Sequence, residues 1–401
     1  MSDFKNINQL KIFKNSECAG ILRRTELGCE FALNPTFTEH TKAPYFSYCI
    51  PKDTPNIIIN GDNLPPFFAG LLPEGRRLNA LMSKIKTSKD DLFSLFAAVG
   101  TDCIGDIYVE NDLPTVLKNS PRLDAVNFYT YFEETIAPNS SIFDTQSLAG
   151  VQEKISASMI SFPLKIAKKN KAYILKLNPK DKNNLIQNEF NCLQLAKQCG
   201  FTVAKVKIVM DKDKNSGLLV ERFDRSNQIK IHQEDACQFL NRYPADKYRI
   251  TVNQIADALM QITNAPQLEI LNLIRQYAFS YLICNGDLHA KNISLQTLEN
   301  GVITLTPLYD LICTAIYSDF KMALKIDGKD DNIKRKTLID FAARYKINAK
   351  AIHSTLDNLL ERFINHYQSL YSIEMSERKR NLLNKIIIKR IGNLQKGKTN
   401  I

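Results

Sequence analysis

The chain has 401 residues, 44% hydrophobic and 9% aromatic, with a formal net charge of +11 at neutral pH. These values suit a globular protein of two or three lobes and exclude a disordered or fibrous chain. The longest apolar runs, such as Leu95-Phe96-Ala97-Ala98-Val99, are too short to cross a bilayer, and Met1-Ser2-Asp3-Phe4-Lys5-Asn6 lacks a signal-peptide pattern, so a cytoplasmic protein with no membrane association is expected.

Residues 9–13 and 45–50 read as short strands and 74–98 as a helical stretch. Residues 105–225 are strand-rich, with strands expected over 155–160, 171–177 and 217–223. A helix over 188–199 interrupts them and stops at Gly200 in the manner of a C-cap. Lys176 lies in Tyr173-Ile174-Leu175-Lys176-Leu177, and a cation in an apolar strand is costly unless an anion meets it. Phosphates and Glu189, on the following helix, are the anions expected; a snorkelling lysine on an edge strand is the alternative. Ser147-Leu148-Ala149-Gly150-Val151-Gln152-Glu153-Lys154 carries small residues that let backbone N–H groups approach phosphates, although Gly150 alone makes a sparse glycine loop. Glu221, Arg222 and Phe223 close the strand-rich region, where a hinge would offer backbone groups to adenine.

After Arg225, apolar residues recur at helical spacing almost throughout. The fold class expected is therefore α+β and bilobal, a β-rich N-lobe followed by an all-α C-lobe, with a small β-containing subdomain in front. Its boundaries are placed at 1–103, 104–225 and 226–401. Near the end, Arg378, Lys379, Arg380, Lys385, Lys389 and Arg390 interleave with Leu382, Leu383, Ile386, Ile387 and Ile391, an amphipathic basic helix with a solvated face. The nine cysteines lack metal-ligand spacing and read as reduced core thiols.

The chemistry concentrates in Asp287-Leu288-His289-Ala290-Lys291-Asn292, followed by Tyr309-Asp310. Phosphoryl transfer asks a protein to hold Mg²⁺ against phosphates and a hydroxyl in line, and protein kinases supply an acid, an Asn five residues on, and a second acid. Asp287 is the candidate base; Asn292 and Asp310 offer the hard oxygen ligands Mg²⁺ prefers. A capped turn would also use such residues. Residues 302–310, however, read as a strand delivering a carboxylate at its end, and both acids are expected in an open, solvent-filled cleft.

The motif at 147–154, Val220-Glu221-Arg222-Phe223-Asp224-Arg225, His232-Gln233-Glu234-Asp235, Asn285-Gly286-Asp287-Leu288-His289-Ala290-Lys291-Asn292 and Tyr309-Asp310-Leu311 resemble, in order, those of the HipA-like serine/threonine kinase toxins of bacterial toxin–antitoxin systems. Leu72-Pro73-Glu74-Gly75-Arg76 and Val99-Gly100-Thr101-Asp102 resemble the N-terminal subdomain of that family. The resemblance implies ATP and Mg²⁺ as cofactors, with growth arrest through phosphorylation of an aminoacyl-tRNA synthetase, glutamyl-tRNA synthetase in the best-known case. It also implies a HipB-like helix-turn-helix antitoxin as partner, through which DNA is met only indirectly. Among the residues, it implies that Asp287 is catalytic, that Asn292 and Asp310 hold the metal, and that Ser147 is autophosphorylated. ATP would meet Ala149, Gly150, Val151, Gln152, Glu153, Lys154, Lys176, Glu221, Arg222, Phe223, His289, Lys291 and Asn292. A phosphate on Ser147 would displace nucleotide, held by basic residues such as Arg222 or Lys291. Two other readings are a small-molecule phosphotransferase of the aminoglycoside or choline kinase type and a non-catalytic scaffold for a DNA-binding partner.

Overall fold

Leu10 and Ile12 alternate with exposed neighbours along the strand Gln9–Lys14, and this period of two turns one face of the strand inward. The computed structural model describes residues 4–40, 45–110, 126–136, 160–166, 171–179, 184–226 and 229–395. They gather into two units, one drawn from residues 4–136, 160–177 and 208–246, the other from 178–207 and 247–395.

Among the described residues, the first unit holds a five-stranded antiparallel sheet in the order Ile57–Asn60, Gly28–Leu33, Glu17–Thr25, Gln9–Lys14, Ile107–Glu110. Phe31 on that sheet meets Phe46 and Phe68 at ring-centroid distances of 4.9 Å, and Phe67 and Phe96 extend the cluster. Burying each such ring contributes roughly 1.5–3 kcal/mol. The helical stretch expected over 74–98 is two helices, Gly75–Ile85 and Leu92–Val99. Lys86 turns left-handed at φ 53° after the first, and the Asp91 carboxylate caps the second by accepting from the Ser94 N–H at 3.2 Å.

A four-stranded sheet follows, in the order Val206–Met210, Ser216–Glu221, Lys171–Leu177, Ile160–Ile166. Lys171–Leu177 is flanked on both sides, Lys176 pairing with Leu218 and with Ser161. Lys176 is therefore on an interior strand, against the edge-strand alternative.

In the second unit the helix Leu185–Gln198 ends where the sequence indicates. Gly200 adopts φ 84°, the Phe201 N–H donates to the Ala196 carbonyl at 3.0 Å, and the Gly200 N–H donates to Lys197 at 2.9 Å. The helices Val252–Ile262, Pro266–Leu282, Arg335–Arg344, Ala349–His366 and Glu377–Leu394 make up the rest of its helical frame. Pro266–Leu282 lies in the core, with Ile270, Leu273, Ile274, Tyr277, Phe279 and Tyr281 buried. On Glu377–Leu394 the basic face is solvated as expected, except for Arg390, whose guanidinium turns inward to the Tyr281 carbonyl at 2.6 Å.

The near-continuous helicity expected after Arg225 is not found. Residues 225–235 carry three short strands, and 283–334 are turns and short 3₁₀ segments around the hairpin of Ser294–Thr297 and Ile303–Leu305. Pro307 supplies no N–H, and Asp310, Ser318, Asp327 and Asn332 all take positive φ, which no α-helix accommodates.

Candidate active site

The loop that carries Asp287 begins where the helix Pro266–Leu282 ends. Cys284 turns left-handed at φ 60°, and the Asp287 N–H then donates to the Asn285 side-chain oxygen at 3.0 Å. Gly286 passes against another segment so closely that a Cβ there would lie 2.6 Å from the Lys321 carbonyl oxygen and 2.7 Å from Thr314 Oγ1. Only glycine fits that approach. Thr314 Oγ1 accepts the Gly286 N–H at 2.8 Å and sits 3.0 Å from the Cys284 carbonyl, tying the loop to the segment after Asp310.

From Asp287 the loop turns back on itself. The Asp287 carbonyl accepts from the His289 N–H at 2.8 Å and from Asn292 Nδ2 at 2.9 Å, and the Ala290 N–H reaches the Lys247 carbonyl at 3.1 Å. Asp287 Oδ1 accepts from the Tyr248 hydroxyl at 3.3 Å, and the Tyr248 ring meets His289 edge-on at 5.2 Å. A donor on one carboxylate oxygen restricts the rotamer of the Asp287 side chain. Asp287 is 1% exposed, so the open cleft expected around both acids fails for it; Asp310 is half-buried. Packing by Tyr248 and by the loop itself accounts for the difference.

Asn292 uses its amide nitrogen on the Asp287 carbonyl, so its carbonyl oxygen is the end left for a cation. An amide oxygen and a carboxylate are hard donors, so Asn292 and Asp310 suit Mg²⁺ by their chemistry. Among the described residues no group of three or more His, Cys, Asp or Glu could hold a metal ion. A site of Asn292 and Asp310 would leave its other positions to water and phosphate oxygens.

Asp310 is not at the end of a strand, as the sequence suggests. The strand stops at Leu305, Pro307 follows, and Asp310 sits in the left-handed region at φ 52°. Its neighbour connects the two motifs: the Tyr309 hydroxyl donates to the Lys291 carbonyl at 2.8 Å and lies 2.6 Å from Ser294 Oγ. Burial outweighs Arg390 and pushes the Cys284 thiol up to about 11, and burial raises Cys192 and Cys313 further.

The first unit holds other expected residues. Lys176 is 8% exposed, and the strand Ser216–Glu221 ends at the proposed hinge. The Arg222 guanidinium is already engaged: Nε and Nη2 donate to the Asp224 carboxylate at 3.0 and 2.7 Å, and Nη2 reaches the Cys103 carbonyl at 3.0 Å. Its N–H donates to the Ala172 carbonyl at 2.9 Å. The Arg222 guanidinium is thus part of the framework, and the hinge reading concerns its backbone alone. In the second unit, Glu189 on the helix Leu185–Gln198 is 1% exposed. Ser147 and the segment from Ala149 to Lys154, with Gly150, Val151, Gln152 and Glu153, lie outside the described residues.

Tyr248 and Thr314 escaped the sequence reading. Neither lies inside a motif, and an isolated tyrosine or threonine carries no signal of the loop it will meet.

Residues 146–367 match the model of the HipA-like C-terminal domain, more than half of the chain, and residues 10–110 match the HipA N-terminal domain. The chain belongs to the HipA-like family. Among its relatives are the putative kinase Y4dM of Sinorhizobium fredii, 28% identical over 83% of this chain and 84% of that protein, and the serine/threonine-protein kinase toxin HipA of Shewanella oneidensis, 27% identical over 69% and 71%. The fold matches HipA of Shewanella oneidensis, solved with HipB and its operator DNA, at a TM-score of 0.73 and 21% identity over 96% of both chains. No described helix is long and apolar enough to cross a membrane.

Proposed function

We propose that this HipA-like protein is a serine/threonine protein kinase that uses ATP with Mg²⁺ in the cytoplasm. The observation that supports it best is the Asp287–Asn292 loop, folded onto its own carbonyl with one Asp287 oxygen occupied by the Tyr248 hydroxyl. Asp287 orients and deprotonates the substrate hydroxyl. Asn292, through its free carbonyl oxygen, and Asp310 hold the metal. When bound, Mg²⁺ neutralises charge on the phosphates. Lys176 meets a phosphate, His289 and Lys291 are further ATP-binding residues, and Glu221, Arg222 and Phe223 offer backbone groups to adenine. The loop 149–154 covers the phosphates and Ser147 takes an inactivating phosphate. Residues 1–103 serve as the N-terminal subdomain, 104–225 as the N-lobe and 226–401 as the C-lobe.

The substrate proposed is an aminoacyl-tRNA synthetase, glutamyl-tRNA synthetase first, with growth arrest as the outcome. The HipB and operator DNA in the crystal of the Shewanella relative support a helix-turn-helix antitoxin as partner. Incubation with labelled ATP and Mg²⁺ tests the reading. Label on the protein itself and on an added synthetase, absent with Asp287→Asn, is the expected result. Label on kanamycin or choline instead, or no turnover at all, would overturn it.

A further inference from the structure

Asn188 lies on the helix Leu185–Gln198 with 0% exposure, and its amide is used at both ends on one residue of another segment. Its oxygen accepts the Cys313 N–H at 2.9 Å, and its nitrogen donates to the Cys313 carbonyl at 3.0 Å. The same oxygen accepts from the Cys192 thiol at 3.3 Å, one helical turn further on, which fixes the amide rotamer. Cys313 is extended, at φ −75° and ψ 96°, so the amide stands in for the neighbouring strand that an extended residue would otherwise pair with.

Cys313 comes three residues after Asp310, whose φ of 52° is a sparsely populated conformation that persists where the surroundings determine it. Tyr309 secures the segment on the near side, through Lys291 and Ser294. On the far side Thr314 is tied to Cys284 and Gly286, and Asn188 holds Cys313, the residue between Thr314 and the stretch that carries Asp310.

We propose that Asn188 is a positioning residue, fastening the helix Leu185–Gln198 to the segment that carries Asp310 and thereby setting the carboxylate toward the metal. This rests on the reading of Asp310 as a metal ligand. Partners behind a ligand fix its orientation, and their loss lowers metal affinity or activity by about 10- to 100-fold.

The test uses the full chain, with ATP titrated calorimetrically in the presence and absence of Mg²⁺ for the wild type, Asn188→Asp and Asp310→Asn. Asn188→Asp keeps the shape and the acceptor for the Cys313 N–H but loses the donor to its carbonyl. The expected result is a loss of about 10-fold or more in the Mg²⁺-dependent gain in affinity, approaching that of Asp310→Asn, with Mg²⁺-free binding unchanged. Hydrogen exchange over residues 309–317 should rise in parallel. A gain in affinity equal to the wild type overturns the proposal, whatever the variant's thermal stability. Loss of cooperative unfolding in Asn188→Asp overturns it too, making Asn188 a core residue only. If the wild type itself binds ATP no better with Mg²⁺, the metal reading of Asp310 falls first and the proposal with it.

Discussion

A single carboxylate can serve as a base or as a metal ligand, and its surroundings decide which. Asp287 is buried, held by the Tyr248 hydroxyl and placed by a loop that folds onto its carbonyl; Asp310 is half-buried on a left-handed residue. Asp287→Asn should therefore abolish phosphotransfer while ATP binding with Mg²⁺ stays near normal. Asp310→Asn should weaken that binding as well, and without backbone strain, since Asn tolerates positive φ as well as Asp does. Calorimetry on the two variants separates the roles, and equal loss of binding in both would refute the assignment. The motif residues were legible because loop chemistry lies close together in sequence. Tyr248 was not, since it comes 39 residues before the acid it holds.

Between elements, the first unit is joined by buried charge. Asp224 accepts from Arg222, from Arg225 Nη1 at 2.7 Å and from the Gly105 N–H at 3.0 Å; burial opposes its ionisation, but the two guanidiniums hold it at about 2. Asp224→Ala takes from both guanidiniums the carboxylate they share, leaving them Asp102, and should cost about 3 kcal/mol in denaturant unfolding. A paired Arg222→Met, Asp224→Leu replacement should cost less than that single change, and a larger loss would refute the shared-carboxylate account. A second cluster follows from strand alternation, which turns Lys14 inward beside Leu10 and Ile12. Lys14 Nζ sits 3.0 Å from Asp106, and His232 bridges Asp106 at 2.6 Å to Glu234 at 2.7 Å. Burial and Lys14 work against charge on His232, yet Asp106 and Glu234 prevail and raise it above 6.5. Burial likewise opposes the Asp106 anion, and Lys14 and His232 hold its carboxyl well below the usual 3.8. Stability from His232 is then complete below 6.5 and lost as pH rises through its folded value. That from Asp106 is complete above 3.8 and lost as pH falls through its own. Thermal midpoints should decline on the alkaline side, and His232→Gln should flatten that arm; an unchanged slope would remove His232 from the account. No local pattern announces such partners, since Lys14 and His232 are 218 residues apart.

At the scale of the whole molecule, the formal charge of +11 attracts polyanions without selecting among them. The purified chain should bind operator-length and scrambled DNA alike and lose both with salt, with sequence selectivity arriving only with the antitoxin. Gel-shift titration of the kinase alone is the check, and a preference for one sequence would contradict it. Fold class was readable from the order of strand-like and helix-like segments. The non-helical stretch 283–334 was not, because the same short apolar runs fit a helix face or a turn-rich scaffold, and only tertiary bonds such as those of Thr314 and Glu269 decide.

The ion network also bears on any attempt to dissect the protein. Arg222, Arg225 and His232 find their partners at Asp102, the Cys103 carbonyl and Asp106, on either side of the proposed junction at residue 103. A shortened enzyme starting after that junction would lose Lys14, Asp102 and the Cys103 carbonyl together. What remained would keep Asp224 for the two guanidiniums and Asp106 and Glu234 for His232 but lose the other half of each network, so the shortened chain should be markedly less stable than the whole, and supplying residues 1–103 as a separate polypeptide is the remedy this wiring suggests.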